Sequence, residues 1–191
     1  CYTLHFEKGN PVGDMKKEPY TKKDTGTRIR WRPDLAVFTD ISIPLSYYQD
    51  ILKRQAVVNS GIHFILKDQI SPSQFETYEY YYENGLVDYV TEIAAGTEMS
   101  SIRFWQTEKT GRDRADKKDY RVKINAALCF SNKICRKECY HNSSYLEYGG
   151  APEKAVRSAF VSQIDAYLKQ QGKYTKQDSK ISFQDIEDCL I

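Results

Sequence analysis

Ile62-His63-Phe64-Ile65-Leu66-Lys67, followed by Gln74-Phe75-Glu76-Thr77-Tyr78-Glu79-Tyr80-Tyr81-Tyr82, is the stretch on which the fold turns. Ile62, Phe64 and Leu66 recur at every second position, as one face of a β-strand requires. The aromatic-rich run from Gln74 to Tyr82 suits a pleated surface and reads as the hairpin partner. On the N-terminal side, Pro44–Asn59 places Leu45, Tyr48, Ile51, Leu52 and Ala56 on one helical face, with Pro44 near its start and Gly61 past its end. On the C-terminal side, Leu86, Val90, Ile93 and Ala94 form a second, shorter helical stripe. A hairpin set between two helices predicts an α+β protein.

The same pattern continues outward. Ser101–Thr107 and Tyr120–Phe130 alternate apolar with polar residues and read as paired strands, joined by a charged, solvated loop over Glu108–Asp119. Ser131–Tyr148 is irregular. Pro152 then opens a helix with Val156, Ala159, Phe160, Ile164, Tyr167 and Leu168 on one side, ended by Gly172. Ser182 is placed to cap a last helix, with Asp185 in the capping-box position. Towards the N-terminus, Cys1–Gly9 alternates like a strand, as does Thr27–Arg32. There Ile29 and Trp31 face one way and Arg28, Arg30 and Arg32 the other, until Pro33-Asp34 stops the run. Val37–Ile43 reads as a further extended segment. There is no internal repeat. The expectation is one sheet with helices packed mainly on one face.

Composition narrows the function. The 191 residues suit one domain able to bury a core, and no run of 18 apolar residues marks a membrane helix. The five cysteines are odd in number and unevenly placed, which argues against a secreted disulfide framework. A net charge of +2 does not point to nucleic acid by itself, so any such partner must be argued from local clusters. Cys1 opens inside a strand-like pattern and Ile191 closes inside a helix-like one, which reads as a piece of a longer polypeptide.

Several strings, in order, resemble the second domain of the B subunit of the bacterial type II DNA topoisomerases, DNA gyrase and topoisomerase IV. Tyr2–Gly9 resembles the family's first strand, ending in glycine. Asp24-Thr25-Gly26-Thr27-Arg28-Ile29-Arg30-Trp31-Arg32-Pro33-Asp34 resembles Gly-Thr-x-Ile-x-Phe-x-Pro-Asp, followed by the apolar-Phe pair Val37-Phe38. Val57-Val58-Asn59-Ser60-Gly61 stands where the family has a Phe-Leu-Asn-x-Gly-like helix end. Tyr82-Glu83-Asn84-Gly85-Leu86 resembles Tyr-Glu-Gly-Gly-Ile, and Phe130-Ser131-Asn132 resembles Phe-x-Asn. Tyr148-Gly149-Gly150, with Arg157 beyond, resembles Glu-Gly-Gly-Thr-His followed by Phe-Arg. The departures are Asn84 for a glycine; Tyr148, Ala151 and Pro152 for the family's Glu, Thr and His; and a longer stretch between Asn132 and Gly149. They point to a divergent member.

The resemblance implies a transducer domain with a ribosomal-protein-S5-domain-2-like fold: a single mixed β-sheet, helices mainly on one face and a left-handed βαβ crossover. It implies an ATPase domain before Cys1 and a metal-binding cleavage domain after Ile191. The whole would be an ATP-dependent isomerase that couples ATP hydrolysis to DNA strand passage. Its implied partners are DNA, the A subunit of gyrase or topoisomerase IV, and a second copy held through the ATPase domain, in the bacterial cytoplasm. ATP and Mg²⁺ would serve the full-length enzyme, with none bound by residues 1–191. The family's ATP-sensing Gln-Thr-Lys loop has only Gln106-Thr107-Glu108-Lys109 as its nearest string, on the wrong segment, so the loop is expected after Ile191. These residues alone are then expected to be inactive. The alternative is a non-enzymatic nucleic-acid- or protein-binding module of the same fold; a Bergerat-type ATPase segment preceding Cys1 discriminates the two.

No nucleophile, base and oxyanion site assembles along the chain, so no catalytic residue is assigned. Lys53 and Arg54 are DNA-contact candidates because the family carries cavity-facing arginines in this helix; ordinary helix surface is the plain alternative. Arg28, Arg30 and Arg32 are candidates because clustered arginines contact phosphates, against a solvated strand face that discourages edge pairing. Asn132, Gly149, Gly150 and Arg157 are the family's turn residues. Cys129, Cys135, Cys139 and His141 match no strong zinc spacing and read as thiols without a metal. Tyr78, Tyr80, Tyr81 and Tyr82 read as a packed aromatic face rather than a base-stacking platform. His5 and His63 read as packing or surface residues.

Overall fold

Near the N-terminus the alternation of Cys1–Gly9 becomes one arm of a hairpin. Strands β1 (Tyr2–Thr3) and β2 (Phe6–Glu7) lead into the turn, and β3 (Asn10–Pro11) and β4 (Lys16–Lys17) return antiparallel. Lys8 and Gly9 both take positive φ, 51° and 81°, the mirror-image turn whose twist matches that of its strands. The return arm is longer between Pro11 and Lys16, and Gly13 (φ 74°) accommodates the extra residues.

The computed structural model describes all 191 residues as two compact units, Cys1–Pro44 and Leu45–Ile191. Within the first, the expected strand over 27–32 does not form. Thr27–Arg32 joins no ladder, and Ile29 is 75% exposed. Alternation says which face would be buried, but it supplies no neighbouring strand to accept the hydrogen bonds. Val37–Ile43 is likewise not a strand. Asp34 closes a turn instead: its carboxylate accepts from the Ala36 N–H at 2.8 Å, and its carbonyl accepts from Val37 and Phe38 at 2.9 Å.

In the second unit, α1 (Leu45–Val58) precedes β5 (Phe64–Ser71) and β6 (Gln74–Tyr80), which pair antiparallel with Phe64 opposite Tyr80 and an irregularity between Gln69 and Ser71. Next come α2 (Leu86–Ala94), then β7 (Arg103–Gly111) paired with β8 (Tyr120–Leu128). Within 131–148 the chain makes only a small hairpin, β9 (Tyr140–His141) and β10 (Ser144–Tyr145). Helices α3 (Gly150–Gln170) and α4 (Gln184–Glu187) follow. The capping-box expectation is met in part: the Asp185 carboxylate accepts from both the N–H and the hydroxyl of Ser182.

Every ladder is antiparallel, and the ladders form five separate two-stranded sheets. The expected single mixed sheet is therefore not formed by these strands. A βαβ crossover needs two parallel strands in one sheet, so no left-handed crossover exists among them. Each hairpin satisfies its inner edge locally through a short connection and leaves its outer edge unpaired.

The core gathers around α2, which is apolar on most of its surface. One side packs Tyr89 with Ala56, Val57 and Tyr82; the other packs Val90 and Ala94 with Cys129 and Ile191, and Ile93 touches both groups. The last residues complete this core by backbone pairing. Ile191 and Cys129 exchange two hydrogen bonds of 3.0 Å, and the Ser131 N–H donates to the Cys189 carbonyl at 2.8 Å. By contrast α3 buries only Asp165; Phe160 meets Phe130 edge-on at 6.5 Å, while Tyr167 stays exposed. The apolar stripe predicted on this helix is thus only partly covered. No helix is long and apolar enough to cross a membrane.

Candidate functional site

Lys53 and Arg54, adjacent on α1, have partners inside the chain. Lys53 Nζ lies 2.5 Å from Glu92 of α2 and 5.7 Å from the Tyr89 ring centroid. The Arg54 guanidinium stacks 3.8 Å from the ring centroid of Tyr145, on β10. Next to them Gln55 donates to the Ser143 carbonyl at 2.7 Å. The long stretch after Asn132 is therefore docked on α1 through two consecutive helix residues, Arg54 and Gln55, while Lys53 ties α1 to α2.

Glu138 ties the same stretch to α2, through Tyr89. Its side chain is 8% exposed, and it accepts from Tyr89 (3.0 Å), Arg136 (2.7 Å) and Tyr140 (2.5 Å). Burial alone would raise its carboxyl, but the three donors outweigh burial and hold it below the usual carboxylate range. Burial, reinforced by the same carboxylate, pushes the Tyr89 phenol up to about 12 and Tyr140 further still. A parallel group ties the β6 end to α2: Tyr82 donates to Glu92 at 2.6 Å, while burial and this bond raise the Tyr82 phenol. Glu92, pulled upward by burial, is held low by Lys53 and Tyr82.

The turn residues occupy a different place. Gly149 has φ 70°, and a Cβ there would overlap the Glu153 side chain, so only glycine fits the close approach at the start of α3. Gly150 repeats the positive φ, at 73°. Arg157 reaches Glu153 at 2.8 Å and Glu187 at 3.5 Å and lies 4.7 Å from the Phe183 ring centroid. Lys137 pairs with Glu187 beside it. These contacts clamp α3 to α4. Beside them runs an open groove of about 510 Å³ whose lining includes Lys154, Ser158, Asp165 and Lys180. Asp165 is held by Lys169 at 2.7 Å and Tyr174 at 3.0 Å. Asn132 stands exposed, after the bridge between Phe130 and Leu190.

Arg28, Arg30 and Arg32 are exposed and carry no ion pair; they belong to the first unit, whereas Lys53 and Arg54 belong to the second. Gln106–Lys109 lies inside β7, where Glu108 pairs with Arg121. No three His, Cys, Asp or Glu side chains are grouped so that they could hold a metal ion. All five cysteines are free thiols. Cys129 is buried in the core, and the Cys135 thiol donates to the Glu187 carbonyl. The tyrosine run divides: Tyr82 is buried, while Tyr81 stacks on His63 at 3.9 Å between centroids.

Sequence reasoning missed Glu138, Tyr140 and Glu187. They sit in segments without periodicity, and their partners are 49, 2 and about 30 to 50 residues away. Tyr89 and Glu92 were not singled out either, although the stripe of Leu86, Val90, Ile93 and Ala94 places both on a helix.

Known proteins resemble the chain over both the core and this network. The sequence model described as DNA gyrase B matches residues 85–191, more than half of the chain. The B subunit of DNA gyrase from Synechocystis sp. is 24% identical over 187 residues, which is 97% of this chain and 17% of that protein. The B subunit of DNA gyrase from Metamycoplasma arthritidis is 24% identical over 192 residues, 100% of this chain and 30% of that one. The B subunit of DNA topoisomerase 4 from Salmonella typhimurium is 30% identical over 96 residues, half of this chain and 15% of that protein. The chain thus spans less than a third of the length of these curated relatives. Among solved structures, the 43K ATPase domain of Thermus thermophilus gyrase B, crystallised with an aminocoumarin, superposes with a TM-score of 0.66 at 16% identity. The superposition covers 99% of this chain and 49% of that one.

Proposed function

The chain belongs to the DNA gyrase B family, and on that premise we propose that it is the transducer domain of the B subunit of an ATP-dependent type II DNA topoisomerase. In this role it couples ATP binding and hydrolysis in a preceding ATPase domain to DNA strand passage. The observation that carries the reading is the superposition of 99% of the chain on 49% of a gyrase B 43K ATPase domain. A chain that accounts for about half of such a fragment leaves the other half to hold nucleotide. The charged groups clustered around Glu92, Glu138 and Glu187 are spent on internal pairs, which fits a mechanical role in which the chemistry belongs to neighbouring domains.

The same pairs supply stiffness. A connector transmits closure only if its helices move together, and α1, α2 and the 131–148 segment are tied by Glu92 and Glu138 through buried phenols and two cations. Gly149, Gly150 and Arg157 fix how α3 leaves this body and meets α4. On this reading ATP and Mg²⁺ are bound by the neighbouring domains, and the Gln-Thr-Lys loop lies after Ile191. The protein pairs with the A subunit, and with a second copy of itself through the ATPase domain. The whole works on the chromosome in the cytoplasm. Arg28, Arg30 and Arg32, exposed and without an ion pair, are available for phosphate contact. Lys53 and Arg54 reach DNA only by giving up Glu92 and Tyr145.

The test uses the complete gene product with its partner subunit, relaxed plasmid, ATP and Mg²⁺. Negative supercoiling identifies a gyrase, and decatenation without supercoiling a topoisomerase IV. A transducer predicts in addition that Glu138→Ala leaves ATP hydrolysis running while strand passages per ATP fall. A complete protein that changes no DNA topology with ATP ends the proposal.

A further inference from the structure

The β7–β8 ribbon stands apart from the rest of the chain in charge and exposure. Residues 103–128 hold eight Lys or Arg against four Asp or Glu, a local net charge of +4 in a chain whose total is +2. Both strands are nine residues long, roughly 30 Å at the strand rise, and the distal half is open to solvent on both faces. The cations are not neutralised evenly. Asp119 is taken by Arg112 at 2.6 Å and Glu108 by Arg121 at 2.6 Å. That leaves Asp113 and Asp116 as unpaired acids, against Lys109, Arg114, Lys117, Lys118 and Lys123, none of which has an ion pair.

The register sorts the ribbon into two faces. Gln106 opposes Asn125, Glu108 opposes Lys123 and Thr110 opposes Arg121, so one exposed face is a run of amide, hydroxyl and cationic groups with one carboxylate, that of Glu108, held by Arg121. The other face carries Trp105, Ile124 and Val122. A polar face that both donates and accepts, with unpaired cations at the tip, is complementary to a polyanion whose surface also offers hydrogen-bonding edges. The major groove of B-DNA, about 12 Å wide, admits a two-stranded ribbon, and its phosphate rims meet cations at the ribbon tip.

We infer that the β7–β8 ribbon is a duplex-DNA contact: the 112–119 tip with Lys123 engages the phosphodiester backbone, and the Gln106–Asn125 face lies toward the groove. This deepens the proposed function and rests on its DNA partnership, but it assigns a surface outside the candidates Lys53, Arg54, Arg28, Arg30 and Arg32.

The test measures binding of the 191-residue chain, without ATP, to a fluorescein-labelled duplex of about 25 base pairs, as anisotropy across a salt series. Wild type is expected to bind with an affinity that falls steeply with salt. A variant with Arg114, Lys117, Lys118 and Lys123 all changed to Gln should bind at least about tenfold more weakly, with a log–log salt slope flatter by about two to four. A charge-matched control with Lys22, Lys23, Lys173 and Lys176 changed to Gln should bind like wild type; unchanged melting of both variants separates contact loss from misfolding. The inference is overturned if wild type fails to bind duplex at low salt, if both variants lose affinity equally, or if a single strand of equal length binds more tightly. It also falls if Trp105→Ser with Ile124→Thr abolishes binding through loss of self-association while the charge variant does not. Strand passage by the complete enzyme that survives the ribbon variant unchanged would remove the ribbon and leave the transducer reading standing.

Discussion

The β5–β6 hairpin lies against α1 and holds one lysine against three acidic residues, whereas the β7–β8 ribbon, of similar length and the same antiparallel pairing, meets α2 through β8 and holds eight basic residues against four acidic. Around the first hairpin, charge is absorbed inward. Lys53, Arg54 and Arg136 find Glu92, Tyr145 and Glu138, and the phenols of Tyr82, Tyr89 and Tyr140 complete the set. Around the second, the pairs that exist are exposed, and five cations of its distal half have none. The difference teaches that a basic side chain in this protein is to be judged by what surrounds it. Cations beside buried carboxylates hold the fold together, and cations on an unbacked ribbon are free for a partner.

The comparison breaks most directly at Glu138. Glu138→Ala removes the shared acceptor of Arg136, Tyr89 and Tyr140 and leaves a cation and two hydroxyls without it, which should cost about 3 kcal/mol in urea unfolding. A loss under about 1 kcal/mol would mean that this network is no stronger than surface pairing. The next largest effect is alkaline. The Tyr89 phenol is raised in the folded chain from 10.0 to about 12, so its contribution is complete below pH 10 and lost as pH rises towards 12. That amounts to on the order of 2 kcal/mol, and a Tyr89→Phe variant should flatten the stability curve in that window. Glu138 acts with the opposite sign: its lowered carboxyl stabilises at neutral pH, and that contribution fades as pH falls through the acid range.

A smaller change sharpens the picture at α1. Arg54→Ala should cost about 1 kcal/mol by removing the stack on Tyr145, and Arg54→Lys should recover little of it, because an ammonium cannot lie flat on the ring. The smallest effect belongs to the ribbon. Arg121 and Glu108 are well exposed, so Arg121→Ala should shift stability by no more than about 0.5 kcal/mol. A larger loss by thermal melting would show that the ribbon is packed as firmly as the hairpin on α1.

The elements of the second unit were legible because their signals are local. Period-two alternation located β5, β7 and β8, and helical spacing located α1 and α2, but β7 runs on to Gly111, four residues into the expected Glu108–Asp119 loop, because its charged residues still pair with β8. Arg28, Arg30 and Arg32 show where that logic stops. Their stretch alternates as well as any strand in the chain, yet a strand also needs a neighbour, and none is there. The site was less legible than the fold. Lys53 and Arg54 were visible as an exposed-looking basic pair, but the side chains that occupy them come from residues 92 and 145, and no spacing rule reaches that far.

Local sequence was enough to show where α1, α2, α3 and the β5–β6 and β7–β8 hairpins form, that the chain turns at Gly61 and Gly149, and the family to which the order of its motifs points. All of these depend on near neighbours and backbone geometry. The fold in three dimensions settled which charges are spent internally, that 131–148 docks on α1 through Tyr145 and on α2 through Glu138, and that the hairpins remain separate two-stranded sheets. The reason is physical: a side chain's protonation, pairing and availability are set by what lies within a few ångströms in space, and chain order carries that information only when those neighbours are also close in sequence.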